Sequence, residues 1–487
     1  MQHVELAVGA LTVFWLTYRW YAFREARVKV DHIPTLGSDG FVGSYLGAWK
    51  YVYSGNKIVE EGYKKYKGAP FKVSTFETAS RWLIIVSGRN MIDDIRKAPV
   101  DVLSLNEAAL DMLQLRNTLG EKAARGDWYH VDVTTKQITR NMADLMPALM
   151  DEMREAFADL IPLSEEWLSI APTKTFVRIL CRMINRFFFP TLQLHRHPEF
   201  LDLQTVYPIQ VLLSALALTQ FPGPLRRLVA WLISPVPRSM KKMMDIVGPL
   251  LEERLKEELE LGHNWEGRPN DLLSWFLESA PPDQLNVDDL LMRLMQLEFA
   301  AFHTSNVVIS DALLDLAARP EYLQPLREEV EQVTDELGWT KQAFNTMPKL
   351  DSFLKESSRL EWALAAIRSA QKGFTFSNGL HIPAGFSSIY ADSHIFDGFR
   401  FVMEDGDESS VNGFVAQDTN FLLCPPLTLP LGASVAAAEL KAIMSHILIN
   451  YDIRMPEEST TIAEGQFFNS SRGPDSSAKL QLRKRRT

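Results

Sequence analysis

Cysteine is nearly absent from this chain of 487 residues, which contains only Cys181 and Cys424. Two cysteines cannot build a disulfide framework, so a reducing compartment is the expected environment. Positive charge is also scarce, because 51 lysines and arginines face 61 aspartates and glutamates, a net charge of −10. This acidic balance argues against non-sequence-specific binding of nucleic acid, which needs a basic surface.

Internal repeats and long low-complexity segments are also missing from the sequence. Hydrophobic residues make up 46% of the chain, which is ample for a large core. We therefore expect one large domain, or two or three smaller ones.

An apolar run near the N-terminus covers Leu6–Phe23 and is broken only by Arg19. Aromatic residues cluster at its far end and Arg24 and Arg27 follow, which suits a membrane interface with the bulk of the chain in the cytoplasm. The run is short for a spanning helix, which needs about 20 residues. A cleaved signal peptide would carry its positive charge before the apolar run. We predict an N-terminal membrane anchor over residues 1–27, with a cleaved signal peptide and a soluble helix as alternatives.

Strands are predicted in a small part of the chain. Phe71–Val73 and Trp82–Val86 have strand patterns, and the second is a continuous apolar run, which is typical of a strand buried on both faces. A strand, a turn and a strand follow over Phe374–Gly385. The pattern from residue 131 to about residue 255 is mostly helical. The sequence therefore predicts a mainly α fold with a small β region, an α+β class.

Two very apolar segments, Ile209–Leu218 and Leu228–Ile233, lie on either side of a turn that contains proline and glycine. A helix that is apolar all round is either part of a core or in contact with a membrane. Neither segment is long enough to span a bilayer. The residues alone leave both alternatives open.

The longest uninterrupted helical pattern begins at Asp288 and ends at Arg319, a length of about 45 Å at the standard rise. Acidic residues at its start and an arginine at its end suit the helix dipole. Its middle, Phe299–Asn306, combines small residues and a polar cluster in apolar surroundings. Thr and Ser inside a helix can bond back to the preceding turn and loosen it. The simplest interpretation is a helix packing contact, which the alanines permit.

Another helix is predicted over Leu350–Leu360, with Asp351 and Ser352 as candidate N-caps. Glu356 and Arg359 lie three residues apart, so their side chains share a face and can form an ion pair. An exposed pair of this kind is common and contributes on the order of 0.3 kcal/mol. The order of the other segments along the chain suggests a second interpretation of this pair, as part of a family pattern.

Four short sequences follow one another along these segments. They are Ala-Ala-Phe-His-Thr-Ser in the long helix, then Glu-Ser-Ser-Arg, Phe-Asp-Gly-Phe-Arg-Phe and Ala-Ala-Glu-Leu-Lys. An anchor, a proline-containing linker, a small β region and a basic helix precede them. In this order the chain resembles a cytochrome P450, in style a membrane-anchored fungal one, over nearly its whole length. The resemblance implies a P450-type helical domain over residues 28–487, behind the anchor.

The resemblance implies a haem b (iron protoporphyrin IX) bound through a cysteine thiolate, which pushes electron density onto the iron and favours O–O cleavage. It gives Thr304 a role in proton delivery, with His303 at the position where the family usually has an acid. It also implies that Ala300 and Ala301 leave room above the haem.

Several charged residues gain roles from the resemblance as well. Arg140 and Arg368 stand where haem propionates usually find cations. Glu356 and Arg359 match the Glu-x-x-Arg pair of the family, which locks with an arginine of the later meander, here Arg400. The two apolar segments would form the lid and access channel of the substrate site.

The chain departs from the family at the haem ligand. The family thiolate comes from a loop of the type Phe-x-x-Gly-x-Arg-x-Cys-x-Gly, and its position, nine residues before Glu439, holds Pro430. Leu429–Ser434 resembles the start of that loop, but the Arg and Cys are missing. Cys424, 15 residues before Glu439 and followed by two prolines, is the candidate iron ligand. Cys181 is interpreted as a small buried hydrophobic residue.

A second gap lies between Phe386 and Phe396, where about a dozen residues are missing relative to the family. Two functional hypotheses from different classes result. The first is a haem-thiolate monooxygenase that inserts one oxygen atom of O2 into a lipophilic molecule of terpenoid, sterol or fatty-acid type, in secondary or xenobiotic metabolism. The second is a catalytically inactive P450-like protein that binds ligands or partners.

The monooxygenase hypothesis carries expectations about partners and location. Electrons would come from NADPH through NADPH–cytochrome P450 reductase. The chain would be a monomer in contact with membrane lipid, single-pass in the endoplasmic reticulum, with its catalytic domain facing the cytoplasm. An unrelated α-helical membrane-associated protein is the third alternative.

Overall fold

A computed structural model gives the architecture of the chain. It describes residues 2–486 except for residues 68, 79, 100, 126–128, 191–192, 222, 362–367, 391–398, 400–429, 458–465, 469–470 and 474–476. Cys424 and Arg400 lie outside the described residues, as do the side chains of Ala300 and Arg359.

Helices dominate the described residues. In chain order they are α1 (Gln2–Lys29), α2 (Phe41–Tyr66), α3 (Arg89–Lys97), α4 (Leu105–Met112), α5 (Leu115–Thr118), α6 (Tyr129–Leu160), α7 (Pro172–Phe188), α8 (Pro198–Leu218), α9 (Gly223–Ile233), α10 (Val236–Leu261), α11 (Leu272–Ser279), α12 (Val287–Ala318), α13 (Leu323–Leu337), α14 (Lys341–Asn345), α15 (Pro348–Glu361) and α16 (Pro430–Asn450). Short 3₁₀ turns cover Gln193–Arg196, Pro282–Gln284 and Pro320–Tyr322.

The strands are short. They are β1 (Phe71–Ser74), β2 (Trp82–Val86), β3 (Leu103–Ser104), β4 (Leu168–Ile170), β5 (Arg368–Ala370), β6 (Phe374–Thr375), β7 (His381–Ile382), β8 (Ser387–Tyr390), β9 (Tyr451–Arg454), β10 (Gln466–Phe468), β11 (Ser471–Gly473) and β12 (Leu480–Lys484). The mainly α fold with a small β region is thereby confirmed.

One sheet has five strands in the order β1-β2-β8-β5-β3, and the others have the orders β4-β12-β9, β6-β7 and β10-β11. β2 and β8 pair in parallel, with Leu83 opposite Ser387, whereas β1 and β2 are antiparallel, with Phe71 opposite Ile85. Every residue of β2 is buried, as its continuous apolar run predicts. The predicted hairpin is present as β6 and β7, with Gly379 at a φ of +84° in the turn.

The main core lies where the long helices meet. α12 packs against α7, α15, α10 and α16, and α6 packs against α7 and α16. Aromatic side chains from four of the helices are almost completely buried there, among them Phe157, Phe176, Phe276 and Phe302. Burial of one such side chain stabilises the fold by about 2–3 kcal/mol, so this cluster dominates the hydrophobic stabilisation.

The N-terminal helix α1 exposes most of its apolar side chains, including Val13, Phe14 and Tyr21. Its last turns are attached to the rest of the chain, because the Phe23 ring lies 5.7 Å from that of Trp82. Among the described residues, α8 is long and apolar enough to cross a membrane, whereas α1 does not meet both conditions. The N-terminal anchor therefore stays a prediction.

Two helix starts differ from the sequence prediction. α16 begins at Pro430, so residues 430–434, interpreted as the start of a loop, form the first turns of a helix. Proline fits the first helical position because its missing N–H has no partner there in any case. α15 begins at Pro348, one turn before the predicted caps Asp351 and Ser352.

Candidate functional site

The long helix α12 organises the site. Its N-cap is Asn286, whose Oδ1 accepts a hydrogen bond from the backbone N–H of Asp289 at 3.1 Å. Asp288 and Asp289 in the first turn suit the positive end of the helix dipole. This capping and the burial of both flanks hold the polar residues in the middle of the helix at fixed positions.

Two of these polar residues have structural hydrogen bonds, one within α12 and one to a neighbouring helix. The Ser305 hydroxyl donates to the backbone oxygen of Ala301, one turn earlier, at 2.9 Å. Asn306 Nδ2 donates to the backbone oxygen of Thr173 at the start of α7, at 3.1 Å. The packing interpretation of this segment is therefore correct for Asn306, and Ser305 bonds back to the preceding turn as expected for a serine inside a helix. Thr304 lies between Ser305 and His303 and is half-buried, as is Ala301.

His303 faces α8. Its Nε2 lies 3.4 Å from the backbone oxygen of Gln204, so this nitrogen carries the proton when it donates. Burial lowers the pKa of His303 to about 4, and the hydrogen bond to Gln204 opposes this shift only partly. His303 is therefore neutral near pH 7, and its role in proton delivery stays a prediction.

A carboxyl group does occur on α12, at Glu298. The side chain is completely buried, and its Oε2 accepts a hydrogen bond of 2.6 Å from Gln204 Nε2 on α8. The Gln204 amide also exchanges two hydrogen bonds with the Asn185 amide of α7, at 2.8 and 3.0 Å. Burial raises the pKa of Glu298 to about 8, and the bond from Gln204 opposes that shift.

Glu298 and its partners were not predicted from the sequence. The feature that could have revealed Glu298 is its position as a single carboxyl group inside the apolar run that contains Leu297 and Phe299. A charged residue in such a run is almost never completely buried unless it has a partner. Its partner, Gln204, is 94 residues away in the chain, so the pairing was not visible from spacing.

Behind α12, helix α15 carries the Glu-x-x-Arg pair. Glu356 is completely buried, so the interpretation as an exposed ion pair is wrong for this residue. The next residue, Ser357, donates to Asp315 Oδ2 on α12 at 2.6 Å. Arg359 and Arg400, predicted to complete the lock with Glu356, lie outside what the structure describes.

Helix α16 is attached to α15 by a buried ion pair. Lys441 Nζ lies 2.5 Å from Asp351 Oδ1, and it also donates to the backbone oxygen of Phe344. Burial lowers the pKa of Lys441, and Asp351 opposes this shift. α12, α15 and α16 are therefore connected by buried polar contacts into one braced unit.

The two predicted propionate partners lie in different environments. Arg140 is exposed on α6. Arg368 is half-buried at the first position of β5 and pairs in register with Ser388 of β8. Their predicted contact with a propionate stays a prediction.

The haem that the resemblance implies needs a cysteine thiolate as iron ligand, so the environment of the described cysteine is decisive. Cys181, the cysteine that the described residues contain, is completely buried in α7. Burial, followed by the nearby Glu298, raises its pKa well above the usual range, so it is a thiol rather than a thiolate. At the position of the family cysteine, Pro430 begins α16.

Within the described part of the chain, groups of three or more His, Cys, Asp or Glu side chains able to hold a metal are absent. Ala301 and Thr304, which are predicted to lie beside a haem, are half-buried on α12. A thiolate for the lower side is not present among the described residues. These residues alone therefore do not fit a haem-thiolate centre, and Cys424 lies outside them.

Comparison with known proteins extends the fold evidence to the whole chain. The cytochrome P450 family model matches residues 128–391, more than half of the chain. The match ends before the stretch in which the ligand loop was expected.

Fungal relatives match over nearly their whole length. "Cytochrome P450 monooxygenase 151" of Postia placenta is 33% identical over 99% of each chain. "Cytochrome P450 monooxygenase CYP512U6" of Ganoderma lucidum is 29% identical over 93% of this chain and 91% of its own, and "Cytochrome P450 monooxygenase atmQ" of Aspergillus flavus is 30% identical over 98% and 92%. The first alignment has 512 positions and this chain 487 residues, so at least 25 positions face gaps in this chain. The chain belongs to the cytochrome P450 family.

Proposed function

We propose that the chain is a monooxygenase that inserts one oxygen atom of O2 into a lipophilic small molecule of terpenoid, sterol or fatty-acid type, in secondary or xenobiotic metabolism. The observation that carries this proposal is the similarity to fungal monooxygenases over 99% of both chains. The family implies a haem, a redox partner and a small-molecule substrate. We assign haem b, and NADPH–cytochrome P450 reductase as the source of electrons.

The lipophilic nature of the substrate is supported by the surface of α8 and α9. Large apolar side chains are exposed on both helices, and Trp231 on α9 is 77% exposed. Others are Ile209, Leu213, Leu228, Leu232 and Ile233. A continuous apolar surface of this kind marks a contact with membrane or with an apolar ligand. A molecule dissolved in the membrane would reach the site at these helices, which we assign as its lid.

The site residues keep the roles that the resemblance suggests. We propose Cys424 as the thiolate ligand, Arg140 and Arg368 as propionate partners, and Thr304 as the residue that holds a proton donor near the reaction site. We propose that Arg359 and Arg400 complete the brace around Glu356. When bound, the haem supplies the oxygen chemistry, while the protein binds and orients the substrate and excludes water.

The location follows from the same proposal. Residues 1–27 would anchor the chain in the endoplasmic reticulum membrane, and residues 28–487 would form a monomeric domain facing the cytoplasm. The exposed apolar face of α1 and the exposed lid helices support one membrane-facing side.

The proposed activity is tested by reconstituting the full-length chain with the reductase in lipid vesicles. With NADPH and ¹⁸O₂, products from fatty-acid, sterol and terpenoid probes are analysed by mass spectrometry. We expect one ¹⁸O atom in the product of at least one probe class, and a several-fold loss of product in Thr304→Ala. Ser305→Ala is the matched control, because that hydroxyl is bonded within its own helix. NADPH-dependent product that contains no ¹⁸O would contradict the proposal.

The start of α16 at Pro430 favours a second candidate function, a haem-free protein that binds a lipophilic ligand. In that case the lid and core persist while the oxygen chemistry is lost. Haem-free protein, prepared without added haem and titrated with a fluorescent fatty acid, would bind it with one-to-one stoichiometry and show no turnover. Failure of the haem-free chain to fold would exclude this candidate.

A further inference from the structure

The lid helix α8 is attached to α12 by polar contacts inside an otherwise apolar interface. Gln204 of α8 donates from Nε2 to Glu298 at 2.6 Å, and its backbone oxygen lies 3.4 Å from His303 Nε2. The two residues of α12 are five positions apart, so they lie about 7.5 Å apart along the helix axis. Both contacts come from one residue of the lid. Gln204 therefore fixes the position of α8 along α12.

The Gln204 amide has no further donor that could stabilise a negative charge on Glu298. Its two Nε2 hydrogens go to Glu298 and to Asn185 Oδ1, and its Oε1 accepts from Asn185 Nδ2. The other carboxyl oxygen of Glu298, Oε1, is buried without a hydrogen-bond partner among the described residues. An ionised carboxylate would thus keep one hydrogen bond where water would supply several.

Among the described residues, a compensating positive charge is not provided by the groups around Glu298. Cys181 on α7 and Tyr207 on α8 are both close enough for its charge to affect them, and ionisation of either would add negative charge. His303 is neutral near pH 7 because burial lowers its pKa to about 4. Arg178 of α7 is paired with Asp202 of α8 at the exposed surface, at 2.7 Å.

The other helices that pack against α12 also leave Glu298 uncompensated. α10 contributes Met243 and Val247 to the same apolar core. The buried cations of these helices have other partners: Arg254 of α10 is paired with Asp271 at 3.2 Å, and Lys441 of α16 is paired with Asp351. Arg293 of α12 donates to Gln284 at 3.0 Å. Lys355 of α15 is also buried, but among the described residues the pKa of Glu298 is shifted by burial and by the bond from Gln204, and not by a cation. The carboxyl of Glu298 is therefore stable in the interface only when it is neutral.

We propose that Glu298 and Gln204 form a proton-dependent clamp, which holds the lid helix α8 on α12 while the Glu298 carboxyl is protonated and releases it when the carboxyl ionises. The clamp needs neither haem nor ligand. It rests on the proposed function only in that α8 is the lid through which a lipophilic molecule enters. Failure of the clamp would therefore leave the proposed function standing.

Amide hydrogen exchange of the full-length chain in detergent micelles tests the clamp. Exchange of the α8 amides is followed by mass spectrometry from pH 6 to pH 9, with each rate divided by the intrinsic rate at that pH. Because one proton is released on opening, the protection of α8 falls up to about tenfold per pH unit, and levels off above about pH 8. The amides of α7 serve as the internal reference and keep their protection.

Two variants separate the clamp from general loosening of the core. Glu298→Gln keeps the shape and a neutral side chain, so the protection of α8 becomes independent of pH. Asn306→Ala removes another buried polar contact of α12, which leads to α7 and not to the lid, so the pH dependence of α8 remains. If Glu298→Gln does not fold, Gln204→Met supplies the test, because it lowers the protection of α8 already at pH 6.

The clamp is excluded if α8 loses protection with pH in Glu298→Gln as it does in the unmodified chain. It is also excluded if α7 and α12 lose protection in step with α8, because the core would then open as one unit. The clamp is also excluded if the protection of α8 in the unmodified chain stays constant from pH 6 to pH 9.

Discussion

Helices α12 and α16 preserve different parts of the family pattern. α12 keeps a capped start and polar residues in its middle, each at a fixed position against α7 or α8. α16 keeps its packing and the Lys441–Asp351 pair, but it begins at Pro430 without the family loop before it. Both are regular helices, and they differ in which of the predicted site residues they carry.

The main core lies in the described helices, outside the segment in which the iron ligand is predicted. Buried side chains of α6, α7, α12, α15 and α16 form the core, and they remain packed where the loop is missing. A loop contributes little apolar burial, so its loss costs function before it costs the fold.

The brace on the α16 side gives the largest expected effect on stability. In Lys441→Met, the carboxylate of Asp351 would remain buried without its partner, which costs about 3–5 kcal/mol. Urea unfolding followed by circular dichroism measures the loss. The control is Lys64→Met, which removes an exposed pair with Glu60 and should change the free energy of unfolding by less than about 0.5 kcal/mol. Equal effects of the two variants would contradict the brace.

The α12 side is distinguished by how its stability depends on pH. The pKa of Glu298 is about 8 in the folded chain and near its ordinary value of 4.5 in the unfolded one, so the folded chain binds the extra proton. The contribution of Glu298 to the free energy of unfolding is therefore largest below about pH 4.5. It decreases by about 1.4 kcal/mol per pH unit between about pH 4.5 and about pH 8, and it does not change further above that pH.

Urea midpoints of the unmodified chain and of Glu298→Gln, taken from pH 5.5 to pH 8.5, isolate this contribution. The difference in the free energy of unfolding between the two chains should shift with pH, in favour of the variant at high pH. Other titrating groups cancel in that difference, including His446, whose pKa burial lowers to about 4. If the free energies of unfolding of the two chains changed with pH in parallel, the pKa of Glu298 would be the same in the folded and the unfolded chain, which would contradict the prediction.

The smallest expected effect concerns Cys181, the cysteine of the core. Its replacement by alanine removes one buried sulfur from α7 and should cost about 1 kcal/mol. The absorption spectrum of any bound haem should stay unchanged, since the thiol is protonated and faces the core. A changed haem spectrum in Cys181→Ala would contradict this expectation, because it would mean that Cys181 of α7 affects the iron.

Sequence reasoning was most accurate where periodicity is long. The main helix was predicted from Asp288 to Arg319 and runs from Val287 to Ala318, because apolar spacing over nine turns leaves little freedom. The start of α16 was wrong, because Pro430 and Gly432 suggested a loop, whereas a first helical turn accepts proline.

The polar interior of the site was hidden for a different reason. Glu298 and Gln204 meet only when α8 crosses α12, and single-sequence patterns contain no information on such distant pairs. The helical patterns correctly placed Thr304, His303 and Glu356 on two helices, whereas the roles that the family resemblance gives them stay predictions. It did not show that Glu298 carries the buried carboxyl group of α12.

The proposal that Cys424 supplies the missing thiolate is tested most directly by the reduced carbon-monoxide difference spectrum of the purified full-length chain. We expect the shifted Soret band that is typical of thiolate ligation in the unmodified chain and in Cys181→Ala, and its loss in Cys424→Ser. A chain that takes up no haem, or a band that persists unchanged in Cys424→Ser, would contradict the proposal.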